Sequence, residues 1–574
     1  MSEPLPPKEG EPRPQKEESQ NDTLEATESK SQHITGLKLG LVVASVTFVA
    51  FLMLLDMSII VTAIPHITSE FHSLNDVGWY GSAYLLANCA LQPLAGKLYT
   101  LLGLKYTFFA FLCIFELGSV LCGAARSSTM LIVGRAVAGM GGSGLVNGAL
   151  TILSTAAPKH KQPGKGTDFW KSAGCRVHAD LAYEVLIGVM MGLSQIAIVC
   201  GPLLGGAFTQ HATWRWCFYI NLPIGAVAAF LLLVITIPDR ISSTDSELST
   251  DKPMANIKST LRKLDLVGFV VFAAFATMIS LALEWGGSTY TWRSSVIIGL
   301  FCGGGFALIA FVLWERHVGD AVAMIPGSVA GKRQVWCSCL FMGFFSGSLL
   351  VFSYYLPIYF QAVKDVSPTL SGVYMLPGIL GQVIMAMVSG FAIGKTGYYL
   401  PWALGSAVLV AIGAGLVSTF QPHTSTVKWV MYQFIAGFGR GCGMQTPIIA
   451  IQSTLSPEQG ALGISLAVFG QTFGGSLFLD FANLVFGSGL RTGLSKYAPT
   501  VDTQAVTAAG ATGFRDVVSK NNLLGVVKAY SLAVDHTFYL AVGATACTFV
   551  FAFGMGWRKI ATKNDTRAVP ETDA

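Results

Sequence analysis

Charged residues are scarce in this sequence. Asp, Glu, Lys and Arg make up only 12% of its 574 residues, about half of the share found in soluble globular domains, which argues against a water-soluble protein. Hydrophobic residues make up 52% of the chain and the mean hydropathy is +0.56, so we expect a lipid bilayer as a partner. The net charge of +5 is small and spread along the chain. Nucleic-acid binding needs a clustered basic face, so we expect no nucleic-acid partner.

Several chemical motifs are also absent. The 11 cysteines form no CxxC pair and show no Cys/His ligand spacing, so we interpret them as small packing residues and expect no metal site. The sequence has no His cluster, no pairing of a nucleophile with a base, and no GxxxxGK(S/T) phosphate loop. These absences predict a protein that is not an enzyme, needs no cofactor and is not driven by ATP.

The chain divides into a polar N-terminal segment and a series of apolar runs. Residues 1–37 are rich in Glu, Lys, Pro, Ser and Gln and are predicted to be a disordered cytosolic tail. The first apolar run starts near Leu39 and is too long for a signal peptide. The length of each apolar run is close to the roughly 20 residues that a helix needs to cross a bilayer. Fourteen runs lie near residues 39–62, 77–94, 107–124, 131–154, 185–207, 214–236, 266–284, 295–314, 336–360, 371–394, 402–419, 427–452, 463–487 and 538–556.

The distribution of Lys and Arg in the short connections orients these spans. An even number of spans puts both termini on one side of the membrane. If that side is the cytosol, the inner loops hold most of the Lys and Arg residues, and the C-terminal tail at 561–574 is basic as well. Positive charge concentrates on the cytosolic side of membrane proteins, so we expect both termini to be cytosolic. The short outer loops then hold only Arg126, Arg215, Arg293, Lys364 and Lys428.

The two halves of the chain resemble each other at a constant offset of 298 positions. Gly96-Lys97 after span 2 matches Gly394-Lys395 after span 10, and the run 138–141 in span 4 matches 436–439 in span 12. This register predicts an all-α membrane protein with two six-helix bundles related by a parallel repeat, and two extra helices between them. The expected division is a first bundle over 38–240, a linker with the extra helices over 241–333, and a second bundle over 334–560 that contains a long outer loop at 488–537.

Five sequence runs carry a resemblance to a known family. They are 55–61 in span 1 (LDMSIIV), the loop 96–106 (GKLYTLLGLKY), 134–144 in span 4 (GRAVAGMGGSG), 201–206 in span 5 (GPLLGG) and 214–225 (WRWCFYINLPIG). Together they resemble the motif set of the major facilitator superfamily, and specifically its fourteen-span drug:proton antiporters of the fungal toxin and multidrug efflux type. The residues with motif roles are Gly96, Lys97, Gly103, Lys105, Gly139, Gly201, Pro202, Gly205 and Gly206.

The resemblance implies proton-coupled efflux of small amphipathic compounds by alternating access. It implies protons and a small-molecule substrate as partners, a monomer, and the plasma membrane as location, with a vacuolar or vesicular membrane as the alternative. The chain departs from the family in an insertion at 164–184 before span 5. That segment is either a cytosolic extension or translated sequence absent from the mature product.

Charges inside membrane helices are costly and therefore mark candidate functional groups. Asp56 lies about six residues before the outer end of span 1, and Arg135 lies about four residues after the outer start of span 4. At 1.5 Å per residue, both lie about 6–9 Å below the outer surface, where they can pair. Arg135 keeps its proton at any physiological pH, so Asp56 is the candidate proton carrier, with Glu116 of span 3 as a second. A fixed structural ion pair is the alternative.

Three further charged residues lie within or at the ends of spans. For Arg440 we expect a salt bridge across the bundle, and for Glu284 a place at the outer membrane interface. Asp480 remains an intermediate candidate for proton transfer.

Polar residues within the spans are candidates for lining a substrate cavity. They are Asn88, Gln92, Asn147, Gln195, Gln361, Gln382 and Gln445. Because aromatic, Met, Gly and amide groups outnumber charges in the spans, export of amphipathic molecules is favoured over import of a nutrient. A non-transporting receptor is a third and weaker alternative.

Overall fold

The computed structural model describes residues 37–101, 104–156, 196–234, 265–287, 289–319, 323–325, 327–455 and 457–559. The predicted tails at 1–37 (apart from Leu37) and 561–574, the insertion at 164–184 and the first half of span 5 lie outside these residues. Helices lie within the described parts of the predicted spans, and for span 5 only residues 196–207 are described. The all-α fold class is therefore confirmed for the described chain.

The first bundle contains six helices. They are α1 (Leu37–Ile59), α2 (Val77–Leu101), α3 (Leu104–Gly123), α4 (Ser128–Ala156), α5 (Ile196–His211) and α6 (Asn221–Val234). A short helix, Ile64–Glu70, caps the end of α1, and another, Trp216–Tyr219, precedes α6. We call "outer" the side on which α1 ends and α2 begins, following the charge pattern.

Two helices separate this bundle from the second one. The pair α7 (Leu266–Trp285) and α8 (Ser295–Val318) packs together, and α7 also contacts α2 and α13. The second bundle contains α9 (Arg333–Ile358), α10 (Pro368–Thr396), α11 (Leu400–Val417), α12 (Thr426–Gly443), α13 (Pro457–Tyr497) and α14 (Lys520–Gly554). Ten of the described helical segments are long and apolar enough to cross a bilayer, among them α1, α3, α7–α11, α13 and α14. Fourteen crossings stay a prediction.

The segment at 488–537 is not the long outer loop that the sequence suggested. Helix α13 has 41 residues and ends only at Tyr497, so at 1.5 Å per residue it is about 60 Å long and extends beyond the hydrocarbon core. A separate helix, Thr503–Val517, follows, and α14 begins at Lys520. The segment folds because it buries apolar side chains such as Phe514 and Tyr530, whose rings stack with centroids 4.7 Å apart.

The packing of α4 and α12 confirms the repeat. Gly139 of α4 lies against the backbone of α2 at Tyr84, and its counterpart Gly437 of α12 lies against the backbone of α10 at Gly378. Two residues on, Gly141 and Gly439 lie against the backbones of α3 and α11 in the same way. Two glycines two residues apart therefore let each helix approach both of its neighbours. The glycines keep the 298-residue offset, while the residues they contact in α10 and α11 lie about one turn before the corresponding positions.

The close approach of α11 and α12 gives a direct test of this packing. A Cβ atom added at Gly413 would lie 2.6 Å from the Cα of Ala436, whereas one added at Gly415 on the same helix would meet nothing within 4 Å. We expect Gly413→Ala to destabilise the protein by about 1–3 kcal/mol through overpacking. Gly415→Ala is the matched control. Thermal unfolding of the purified protein in detergent measures both, and equal melting temperatures for the two variants would contradict the assignment of a tight α11/α12 contact.

Candidate functional site

Asp56 and Arg135 form an ion pair in the centre of the first bundle. The Nη1 atom of Arg135 donates to Oδ2 of Asp56 at 2.6 Å, and the two side chains are 1% and 0% exposed. Their pairing follows from helix geometry, because α1 and α4 run in opposite directions and place the two residues at the same depth. The contact that the sequence allowed is therefore formed.

Three further groups hold this pair in place. Asn221, at the start of α6, donates from Nδ2 to the second carboxylate oxygen of Asp56 at 3.0 Å. The Nε of Arg135 donates to the backbone carbonyl of Tyr80 at 3.0 Å, and its guanidinium lies 4.4 Å from the ring centroid of Tyr84. Each member of the pair thus has a second partner, which a buried charge requires.

Glu116 lies beside this network and not in the central cavity. Its carboxylate oxygens are buried against Gly225 of α6, where a side chain would collide with them. One turn along α3, Ser119 accepts a hydrogen bond of 3.1 Å from the same Asn221 amide that contacts Asp56. Glu116 is therefore one helical turn from a direct contact of the Asp56 site.

A cavity of about 300 Å³ lies between the two bundles. Methionine and leucine side chains form much of its wall, and the cavity also borders the ion pair through Tyr354 and Met53. Of the polar residues predicted to line it, Asn88, Gln92 and Gln382 do so. Gln433, Gln471 and Thr472 line it as well but were not among the candidates.

Other sequence candidates occupy different places. Gln361 is buried at the outer end of α9 and donates to the carbonyl of Thr62 at 3.0 Å, so it joins the halves and does not line the cavity. Gln445 is exposed at the start of a short helix, Thr446–Gln452, and does not line the cavity either. Gly103 and Gln195 lie outside the described residues, as do the surroundings of Gly96, Lys97 and the Asn147 side chain.

Arg440 does not make the salt bridge expected from the sequence. Its guanidinium lies 4.7 Å from the ring centroid of Phe352 and borders the cavity. Among the described residues it has no ion-pair partner, and its Nε is buried without a hydrogen bond. The expectation was wrong because Arg440 faces the cavity, where the described lining contains no carboxylate.

Glu284 is the penultimate residue of α7, and its side chain is buried. Both of its carboxylate oxygens accept hydrogen bonds of 2.9 Å from the Asn483 amide of α13. Asp480, one turn earlier on α13, is fully buried beside the hydroxyls of Ser82 and Ser280, which adjoin it without full hydrogen-bond geometry. The packing of α7 against α13 turns the Glu284 side chain toward Asn483, while its place at the outer membrane interface stays a prediction.

The glycines of α5 join the two halves at the outer side. Gly201 and Gly205 lie against Ser58 and Ile59 of α1, while Gly206 lies against the carbonyl of Pro368 at the start of α10. In return, Gly372 of α10 lies against the Pro202 carbonyl, which also accepts a hydrogen bond of 3.2 Å from Thr62. These close contacts form an outer seam between α1, α5 and α10.

The aromatic run at 214–225 closes the outer end of the first bundle. Trp214 Nε1 donates to Oε2 of Glu70 at 2.6 Å, and Arg215 donates to Oε1 at 3.0 Å. Partial burial of Glu70 opposes its ionisation, but these hydrogen bonds and the Arg215 charge outweigh burial and lower the pKa of Glu70. Lys105, another motif residue, donates to the carbonyl of Leu233 at 3.1 Å and so contacts the inner end of α6.

Sequence reasoning missed several parts of the ion-pair site. Asn221 belongs to the aromatic run that carried the family resemblance, but that run gave no sign that its amide reaches α1. Tyr80 and Tyr84 stand four residues apart on α2, a spacing that places them on one helical face. That spacing is the sequence signal from which a shared position of the two tyrosines beside the ion pair could be predicted.

Two helical bundles related by a repeat, with a cavity between them and a buried ion pair beside it, define a secondary membrane transporter. The chain belongs to the Major Facilitator Superfamily, whose family model matches residues 46–319 and 267–479. It is an integral membrane protein of this superfamily.

Curated relatives cover nearly the whole chain. It is 96% identical over 574 residues, all of both chains, to the efflux pump mlcE of Penicillium citrinum. It is 71% identical to the efflux pump mokI of Monascus pilosus, over 92% of this chain and 94% of that one. It is 40% identical to the efflux pump aflT of Aspergillus parasiticus, over 93% of this chain and 98% of that one.

Solved structures share the fold at low sequence identity. A bacterial homologue of the human lysosomal transporter Spinster, in an inward-facing and unoccupied conformation, gives a TM-score of 0.59 at 16% identity, covering 91% of this chain and 98% of that one. The xylose transporter XylE of E. coli, in a partially occluded inward-open conformation, gives a TM-score of 0.51 at 12% identity, covering 94% of this chain and 99% of that one.

The energetic coupling of Asp56 and Arg135 can be measured with a double-mutant cycle. Removing one partner of a buried pair leaves the other charge uncompensated at a cost of about 3–5 kcal/mol. We therefore expect Asp56→Asn and Arg135→Gln each to lower the thermal unfolding temperature in detergent, and the double variant to lose less than the sum of the two. Strict additivity would show that the two charges do not stabilise each other.

Proposed function

We propose that this protein exports small amphipathic molecules by alternating access, and that a proton gradient drives the export. The observation that carries the proposal is the buried Asp56–Arg135 pair beside the central cavity. Relatives that match over most of their length are named efflux pumps, which supports the direction of transport.

Asp56 is the proton carrier in this proposal. Its carboxylate accepts hydrogen bonds from both Arg135 and Asn221. Arg135 cannot release a proton at physiological pH, so a proton that enters the pair must bind to Asp56. Protonation then removes the attraction that holds α1 to α4 at this depth.

Tyr354 of the second bundle connects the protonation of Asp56 with the relative movement of the two bundles. Tyr354 of α9 lies so close to α2 that a Cβ added at Gly81 would be 2.5 Å from its hydroxyl, and Tyr354 also borders the cavity. A relative movement of the halves therefore changes the surroundings of the ion pair. Glu116, one turn away, is the candidate for receiving the proton next.

The outer seam supports an inward-facing assignment for this conformation. Gly206 meets Pro368, and Gln361 meets Thr62, at helix ends that the charge pattern assigns to the outer side. Opening toward the outside requires these contacts to separate. We further propose that the protein acts as a monomer in the plasma membrane with both termini in the cytosol.

The energy source is tested in proteoliposomes that contain the full-length protein. We expect uptake of amphipathic dyes, one each of anionic, neutral and cationic type, to follow an imposed pH gradient and to collapse when a protonophore is added. ATP without a gradient should have no effect, because the sequence contains no GxxxxGK(S/T) phosphate loop. Uphill movement with ATP alone would overturn the proposal.

The role of Asp56 is tested by separating exchange from net transport. Asp56→Asn mimics a permanently protonated carboxylate, so we expect dye exchange between the two sides to continue while uphill transport and its pH dependence disappear. The control is Asp365→Asn, which removes a carboxylate from an ion pair with Arg515 on the outer surface and should leave uphill transport unchanged. If folded Asp56→Asn protein still drives uphill transport, Asp56 does not carry the proton.

A further inference from the structure

Arg440 is the one charged residue among the described residues that line the cavity. It lies in the last turn of α12, and its guanidinium rests on the ring of Phe352 with its carbon 4.7 Å from the ring centroid. The structure shows no hydrogen bond or ion pair from this guanidinium to any described residue. An arginine has five N–H donors. The Nε of Arg440 is enclosed, so the cavity is the space into which its terminal nitrogens can donate.

The described carboxylates nearest to the transport pathway lie outside the cavity. Asp56 is paired with Arg135 and Asn221 in the first bundle. Glu116 faces Gly225 of α6, and Glu284 accepts from Asn483 of α13. None of these carboxylates lines the cavity. The positive charge of Arg440 is therefore not balanced by the described protein groups around it.

A cation in this position has a cost that a ligand can remove. Burying a charge without a partner is strongly unfavourable, and the face of one aromatic ring compensates only a small part. A planar carboxylate matches the fork of the guanidinium with two parallel hydrogen bonds. Such a ligand would satisfy the donors that the protein leaves without acceptors.

The rest of the wall matches an apolar body attached to that carboxylate. Met53, Met57, Met375 and Met444 line the cavity together with leucine side chains, and flexible methionines adapt to different apolar shapes. The amide side chain of Gln382 adds a neutral hydrogen-bonding group to this wall. A cavity of about 300 Å³ lies at the lower end of the range for small-molecule sites.

We infer that the cavity binds amphipathic organic anions, and that Arg440 pairs with the carboxylate of the substrate. This assignment rests on the proposed function as a transporter and specifies its substrate class. Arg440 occupies the repeat position of Gly142 in the first bundle, so the anion subsite belongs to the second bundle alone.

The test is equilibrium binding of two matched probes to the purified full-length protein in detergent. The probes are 11-(dansylamino)undecanoic acid and its uncharged primary amide, followed by dansyl fluorescence with protein-free micelles as the blank. We expect the wild type to prefer the acid, and Arg440→Gln to weaken the acid at least about tenfold, as loss of a charged hydrogen bond implies. Affinity for the amide should change less than about twofold.

Two variants serve as comparisons. Arg440→Lys keeps the charge without the fork, so we expect it to retain the preference for the acid at reduced affinity. Lys428→Gln removes a positive charge from the exposed first turn of the same helix and should bind both probes as the wild type does. If Arg440→Gln does not fold, the preference of the wild type and of Arg440→Lys for the acid over the amide still tests whether Arg440 binds the carboxylate.

Several outcomes would overturn the assignment. Equal affinity of the wild type for acid and amide, or an unchanged acid affinity in Arg440→Gln, would remove Arg440 from substrate recognition. An equal loss for both probes would mean that Arg440 only shapes the cavity. Because binding in detergent needs no proton gradient, a failure of proton-driven transport would leave this measurement intact, and the two proposals fail separately.

Discussion

A buried charge requires a partner of opposite sign and hydrogen bonds, and the Asp56–Arg135 pair is where the first bundle supplies both. Asp56 and Arg135 meet this requirement fully, since each has the other and each has a second contact, from Asn221 and to the Tyr80 carbonyl. To satisfy it, α1, α2, α4 and α6 must converge at one depth. The glycines of α4 allow that convergence, because any side chain there would hold the helices apart. The geometry of the first bundle therefore depends on one pair of charges.

The second bundle repeats this architecture without its chemistry. Gln433 stands at the repeat position of Arg135 and donates to the carbonyl of Tyr374 at 3.0 Å. Arg135 donates to the carbonyl of Tyr80, whose repeat position lies one turn after Tyr374. Tyr354 stands at the position of Asp56. A hydrogen bond to the neighbouring backbone is kept, while both charges are replaced by neutral groups. A titrating carboxylate is thus confined to one side of the pseudo-symmetric site, and the halves differ in chemistry although they share their packing.

The sequence predicted those features that depend on helix length, depth and spacing. The helical spans of the described chain, the 298-residue repeat and the meeting of Asp56 with Arg135 follow from the rise of a helix and from the direction of the chain. What a neighbouring helix supplies could not be predicted in this way. Arg440 lacks the predicted salt bridge, and Glu284 contacts Asn483, because the face that each presents is determined by packing with α9 or α13. The segment at 488–537 contains helices where the sequence predicts a loop, because its polar residues mask the buried positions Val506, Phe514 and Tyr530.

The placement of Arg135 in one half and Arg440 in the other has an evolutionary consequence. Arg135 is enclosed by its own bundle, so a substitution near it disturbs the ion pair and the helix contacts together. Arg440 borders open space, and residues around it, such as Phe352 and Met444, contact the cavity on one side. Changes on that wall alter which molecules fit without touching Asp56. A lineage of such proteins can therefore acquire substitutions on that wall while the contacts of Asp56 and Arg135 are kept.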